Sequence, residues 1–351
     1  MQEKANTLEN KPRLYAIEFL RIFFVFFIIL GHIMERYPEI NQHTLAFFHT
    51  KAMYTSFGVE FFFIIGGFFL YKRMLSAPNI FDLIKKIYTR LIPALLLVFL
   101  LCVVSDTTSI TKFPSIFSLT IGLTIPGEAT GWGDWYVGVY FWCSLLFIGL
   151  FYGNIGRGFL WTGILAYFTL CLKFNAPYDG WMKTYYTIIG NQLVRGIYSM
   201  GIGITAAYLT DKIKIPNKKS IRVIFTILEA YFLICVFNYI VRTSHSHFNF
   251  FEMEIIFAFL IFCIANSYGY ISKYINSFSK IQLISRYTYP IFLGHIPFIK
   301  YLLSHQNCGF DDTACGLIVL GGALLMGIFE YHIIEKKFVP WIINYFKKEV
   351  A

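Results

Sequence analysis

The chain has 351 residues, 57% of them hydrophobic and only 14% charged, with a mean hydropathy of +0.59. That balance excludes an ordinary soluble domain, which carries about a quarter charged residues. The net charge of +10 needs no nucleic acid to explain it, because the basic residues flank apolar runs that recur from end to end, the pattern of a chain threaded through a lipid bilayer.

The first apolar run, YAIEFLRIFFVFFIILGHIM, follows Lys4, Lys11 and Arg13. It is long enough to cross a bilayer as a helix, which takes about 20 residues. With no small-residue cleavage site before Met34, it reads as a retained span and not a secretory leader. Yet it holds Glu18, Arg21 and His32. Ionisable groups are costly inside a span and by default mark a functional site. Glu18 and Arg21, three apart, share a helix face and can pair. His32 returns to that face about three turns, or about 16 Å, beyond Arg21. One helix therefore presents a cation near one membrane surface and an imidazole near the other. The plain alternative is an arginine snorkelling to the headgroups and a histidine resting at the opposite interface.

Taken in order, the spans are expected at 16–34, 56–72, 90–105, 135–153, 157–174, 185–209, 222–241, 252–270, 281–303 and 315–335. The fold class this implies is all-α: a polytopic transmembrane helix bundle of about ten spans. It forms a single integral membrane domain over 1–351, with tails at 1–15 and 336–351. The stretch 114–125 is apolar but short, which suits an interfacial or re-entrant piece.

Charge orients this map. Twenty of the 30 basic residues fall in the segments on the N-terminal side of the membrane; only Arg36, Lys51, Lys112, Lys173, Lys183 and Arg242 fall on the other. Arg21, Arg195, Arg286 and Lys300 lie within spans. By the positive-inside rule both termini are cytoplasmic, in a multi-pass protein of the cytoplasmic (inner) membrane. Most cysteines fall in spans, where a thiol behaves as a small apolar residue. Cys308 and Cys315 flank the outer loop NCGFDDTAC, where a disulfide and two separate thiols both remain open. No cysteine and histidine spacing suggests zinc, and no metal is expected.

Four stretches carry a family resemblance. EFLRIFFVFFIILGH resembles the opening of membrane-bound acyltransferase family 3, whose first span carries an arginine, a histidine about three turns on and often an acidic residue three before the arginine. GVEFFFIIGGFFL resembles the family's second span, with Gly66 in place of the usual serine. KKIYTRLIP resembles the basic start of the third span, although Ile87 stands three before Arg90 where the family commonly has a second arginine. SRYTYPIFLGHIP resembles the late span that ends in a histidine before proline. The resemblance runs over the whole chain in order. It implies an acyl-CoA-dependent acyltransferase of the O-acetyltransferase type. Such an enzyme moves an acyl group, most often acetyl, from cytoplasmic acyl-CoA to an envelope carbohydrate or lipid-linked glycan at the outer face.

Residue chemistry can be matched to those tasks. A donor rich in phosphate needs cations on the inner side, and Arg90, Lys86 and Arg73 are the candidates there; the planar fork of an arginine suits phosphate best. Ordinary topology-setting charge is the alternative for the inner lysines. His32 is the candidate base for an acceptor hydroxyl. Glu60 enters the second span at a similar depth, where it is either the acid that orients the imidazole, as in a Ser-His-Asp triad, or an interfacial carboxylate at a span end. Glu18 and Arg21 complete the catalytic set on the first span. On the acceptor side, Trp135, Tyr136 and Asp134 offer a sugar platform, which in sequence looks the same as an interfacial aromatic belt. Arg195 and His295 lie deep in later spans and join the substrate-binding set, His295 also standing as a second candidate base. A secondary transporter or flippase for a lipid-linked sugar or organic anion is the alternative function, with Arg21, Arg195, Glu18 and Glu229 as coupling sites.

Overall fold

The structure is a computed structural model that describes residues 14–50, 53, 55, 57–77, 79–121, 123, 134–175, 184–185, 189–241, 247–304 and 310–341. Long apolar runs become helices because the chain must satisfy every backbone N–H and C=O within the segment once water is excluded. Among the described residues, four helices are long and apolar enough to cross a membrane: α1 (Tyr15–Arg36), α4 (Ile80–Val104), α9 (Lys219–Ile240) and the stretch Asp312–Trp341. That stretch comprises α14 (Asp312–Phe329) and a π-helical continuation, Glu330–Phe338. The other expected segments are helical too, as α3 (Phe57–Ser76), α6 (Asp134–Phe151), α7 (Ile155–Asn175), α8 (Asn191–Lys212), α10 (His247–Ala265) and α13 (Thr288–Ser304). Short helices fill the connections: α2 (Pro38–Phe47), α5 (Phe113–Phe117), α11 (Tyr270–Ile275) and α12 (Ile281–Ser285). A two-residue antiparallel pair, Thr184–Tyr185 with Ile189–Gly190, precedes α8.

Helix α1 is central: half of its apolar window is buried, against 17% for α9. The unburied face of α9, with Ile224, Ile227, Tyr231 and Ile234 exposed, is the face a bilayer covers. Inside, Phe24, Phe61 and Phe257 bring α1, α3 and α10 together, with Phe24 and Phe61 ring centroids 4.4 Å apart. Helices α3 and α8 approach until their backbones touch. A Cβ on Gly203 would lie 1.9 Å from the Ile64 carbonyl oxygen, and one on Gly67 would lie 2.1 Å from that of Met200. Small residues permit this kind of close crossing in membrane helices.

Side chains from distant helices hold the starts of α1 and α11 in place. The Asn276 amide oxygen accepts the Ala16 N–H at 2.7 Å and caps the start of α1, while its nitrogen donates to Ser267. Glu229, fully buried on α9, accepts the N–H groups of Gly269 and Ser272 at 3.1 Å each and the Ser272 hydroxyl at 2.5 Å. Thr226, three residues earlier on α9, accepts from Tyr270 N–H. The start of α11 is thus capped from α9, and the Glu229 carboxylate is engaged in that cap.

Two expected boundaries shift, with consequences for the site. Helix α4 begins at Ile80, not at 90: Asn79 caps it by accepting the Phe81 N–H at 2.9 Å, and Asp82 follows in the first turn. Lys85, Lys86 and Arg90 therefore ride on a helix instead of in a loop. The expected span 281–303 is broken between α12 and α13, where Arg286 bonds to Leu283 O and reaches the Tyr331 hydroxyl. Pro290 sits in the first turn of α13, where its missing N–H costs nothing. In the described part of the 114–125 stretch, residues 114–121 and 123, the five-residue α5 is followed by a turn, tied down by Trp142 Nε1–H to Leu119 O at 3.0 Å and by Tyr88 O–H to Phe117 O at 2.8 Å. Cys308 lies outside the described residues, and with it the possible bridge to Cys315.

Candidate functional site

Five helices, α1, α3, α4, α6 and α13, enclose a cavity of about 230 Å³. Its charged lining is Arg21, Arg73, Arg90 and Glu18. Each comes from a different turn of sequence but the same end of the bundle. Arg73 closes the last turn of α3, Arg90 lies in the third turn of α4, and Glu18 and Arg21 belong to the first two turns of α1. Three guanidinium groups against one carboxylate make the cavity strongly electropositive. Glu18 accepts from the Arg21 guanidinium at 2.7 Å, as their i, i+3 spacing implies. Neighbouring Lys72 is withdrawn from this set by its ion pair with Asp211.

Lys86 is exposed and does not line the cavity; Ile87 does. On a helix the stripe through 87, 90 and 91 is centred about a quarter turn from 86, so Lys86 sits on the flank beside Arg90 and outside the lining. The residue at the place of the second arginine in the resemblance thus faces the cavity as an apolar wall. Away from the arginines the lining becomes apolar and aromatic, with Ile28, Phe62, Tyr136 and Phe292. Sequence reasoning missed Tyr140, Thr288, Tyr289 and Phe292. The signal available was spacing, since Tyr140 repeats Tyr136 one turn on, and Thr288 and Phe292 precede His295 on one stripe of α13.

One turn beyond Ile28 stands His32, and three residues beyond Phe292 stands His295. The two imidazoles meet edge to edge: His32 Nδ1 lies 2.8 Å from His295 Nε2, with ring centroids 5.1 Å apart. His295 is fully buried, and its Nδ1 donates to the carbonyl oxygen of Phe292. His32 is half-buried. The cavity thus runs from three arginines at one end to Ile28 and Phe292 at the other, and the histidine pair stands about one helical turn beyond that end.

The expected link from Glu60 to His32 is not formed. Glu60 accepts from Arg195 Nε at 2.7 Å, with a second guanidinium nitrogen at 2.5 Å, and both side chains are buried. The reason is azimuth: Glu60 shares its face of α3 with Ile64 and Gly67, which press against α8, whereas Val59, Phe62 and Phe69 face the cavity. Arg195 also lies over the Trp135 ring at 5.3 Å. Trp135 and Tyr136, the expected sugar platform, thus face inward, one against Arg195 and the other into the cavity. Asp134 opens α6, but its side chain lies outside the described set.

A family profile described as an acyltransferase domain matches residues 14–340. No curated protein and no solved structure matches the chain.

Proposed function

The chain belongs to the acyltransferase 3 family and is a multi-pass membrane acyltransferase; on that premise we propose that it moves an acetyl group from cytoplasmic acyl-CoA to a hydroxyl of an envelope carbohydrate at the outer face. The observation that carries this reading is a cavity lined at one end by Arg21, Arg73 and Arg90, with the His32–His295 pair about one helical turn beyond its other end. Clustered guanidiniums suit the phosphates of the donor. An apolar, aromatic passage suits its uncharged arm. A histidine at the far end suits proton removal from a hydroxyl.

In this mechanism the donor phosphates rest at Arg90 and Arg73, with Arg21 deeper and Lys86 at the outer rim of the cluster. Arg21 exchanges part of its bond with Glu18 for the donor, which lowers the cost of holding a cation in a low-dielectric site. The thioester reaches along the α1 face toward His32. His32 takes the acceptor hydroxyl proton while the oxygen forms a bond to the acyl carbon. The carbon–sulfur bond breaks, and the thiolate leaves toward the cytoplasm with its phosphates. Ten spans and two cytoplasmic tails, as the basic residues imply, place donor and acceptor on opposite sides.

The transporter alternative loses two of its coupling sites. Glu229 is engaged in capping α11, and Arg195 is paired with Glu60. Purified protein supplied with acetyl-CoA labelled in the acetyl group and a mixture of envelope glycans tests the reading. Transfer of label to glycan is expected, with no solute uptake into sealed vesicles when donor is absent. Donor-independent uptake without acyl transfer would overturn it.

A further inference from the structure

Resting on the reading of His32 as the base, we infer that His295 is a positioning residue that fixes which nitrogen of His32 carries the lone pair. The chain of bonds allows one assignment. A carbonyl oxygen can only accept, so the His295 nitrogen at the Phe292 carbonyl, Nδ1, carries a hydrogen. In a neutral imidazole the other nitrogen is then an acceptor, so His295 Nε2 presents its lone pair. His32 Nδ1 lies 2.8 Å from that lone pair and must be the donor. The hydrogen of neutral His32 is therefore on Nδ1, and its Nε2 holds the lone pair that removes a proton.

The arrangement replaces the carboxylate of a hydrolase triad with a second imidazole. A base that reacts through one ring nitrogen needs a partner on the other to hold tautomer and orientation. Here the partner is neutral and anchored to backbone, so it adds no fixed charge to the apolar interior. When His32 becomes an imidazolium, its Nδ1–H still points at the His295 lone pair, and the new charge is shared along the chain toward the Phe292 carbonyl. The two rings meet edge to edge with planes 23° apart, so the donor N–H and the acceptor lone pair lie close to a common plane.

Two variants of similar polarity separate positioning from packing. His295→Gln carries a carboxamide out to the place of Nε2, where its oxygen can accept from His32. His295→Asn is shorter, keeps a donor for the Phe292 carbonyl and offers His32 no acceptor. Turnover in His295→Asn should fall about 100-fold, the lower range of positioned acid–base catalysis, with the KM for acetyl-CoA unchanged. His295→Gln should recover most of that loss. A merely structural role predicts the same turnover per folded molecule in both. Independently, ¹⁵N spectra of histidine-labelled wild-type protein, assigned with His295→Gln, should show neutral His32 protonated at Nδ1. Protonation at Nε2, or equal turnover in the two variants, would overturn the inference. Wild-type turnover in folded His32→Ala would overturn the base reading itself. Normal turnover in His295→Asn beside an inactive His32→Ala would remove the positioning role alone.

Discussion

Replacing Arg90 by alanine removes one of three guanidiniums from the electropositive cavity and leaves Arg21 and Arg73 against Glu18. A hydrogen bond to a charged group contributes about 1.5–3 kcal/mol. Arg90 is exposed at the cavity mouth, where water competes, so the lower half of that range applies. At about 1.4 kcal/mol per tenfold, the dissociation constant for acetyl-CoA should rise about 10- to 40-fold. Arg90→Lys should fall between wild type and Arg90→Ala, because an ammonium keeps the charge but loses the fork. Folding should be little affected, since the side chain leaves no cavity in the core. Calorimetric titration of the detergent-solubilised protein measures the affinity, and acetyl-pantetheine supplies the control. That ligand lacks the nucleotide phosphates, so its weaker binding should be indifferent to Arg90. Unchanged acetyl-CoA affinity in folded Arg90→Ala, or an equal loss for both ligands, would refute the assignment.

His32→Ala should lower the rate per folded molecule by about 100- to 10,000-fold with donor affinity nearly intact, and the wild-type rate should fall at acid pH as the imidazole gains a proton and stops accepting one. Glu60→Gln and Arg195→Met should act on stability: parting a buried ion pair costs about 3–5 kcal/mol, visible as lost yield and a lower Tm, while the turnover of surviving folded protein stays near normal. Gly203→Ala should also destabilise, because its Cβ would meet the Ile64 carbonyl at 1.9 Å, whereas Gly149→Ala, with nothing within 4 Å of the new atom, should be neutral in thermal melts. An impermeant thiol reagent added outside intact cells should label a cysteine placed at Thr44 and spare one at Lys218; the reverse pattern would invert the proposed orientation.

Much of the molecule can be read from local rules. Apolar run length alone marks the helices, because a bilayer admits few other backbone solutions. The Glu18–Arg21 pair follows from i, i+3 spacing, and the return of His32 to their stripe follows from the helical repeat. Asn79 as a cap was equally available to sequence, yet the apolar run starting later hid the true beginning of α4 and so the depth of Arg90. What periodicity cannot supply is which neighbour each helix face meets. Depth put Glu60 level with His32, but only the packing of α3 on α8 decides that its carboxylate meets Arg195. His32 and His295 are 263 positions apart, and no local pattern links them. They touch because α1 is central, latched at its base by Asn276, and α13 packs beside it. The turn of α4 likewise decides that Ile87, and not Lys86, faces the cavity. Sequence determines each helix and the stripe it carries; the rotation of one helix against the next, set by side-chain packing, decides which stripes become a site.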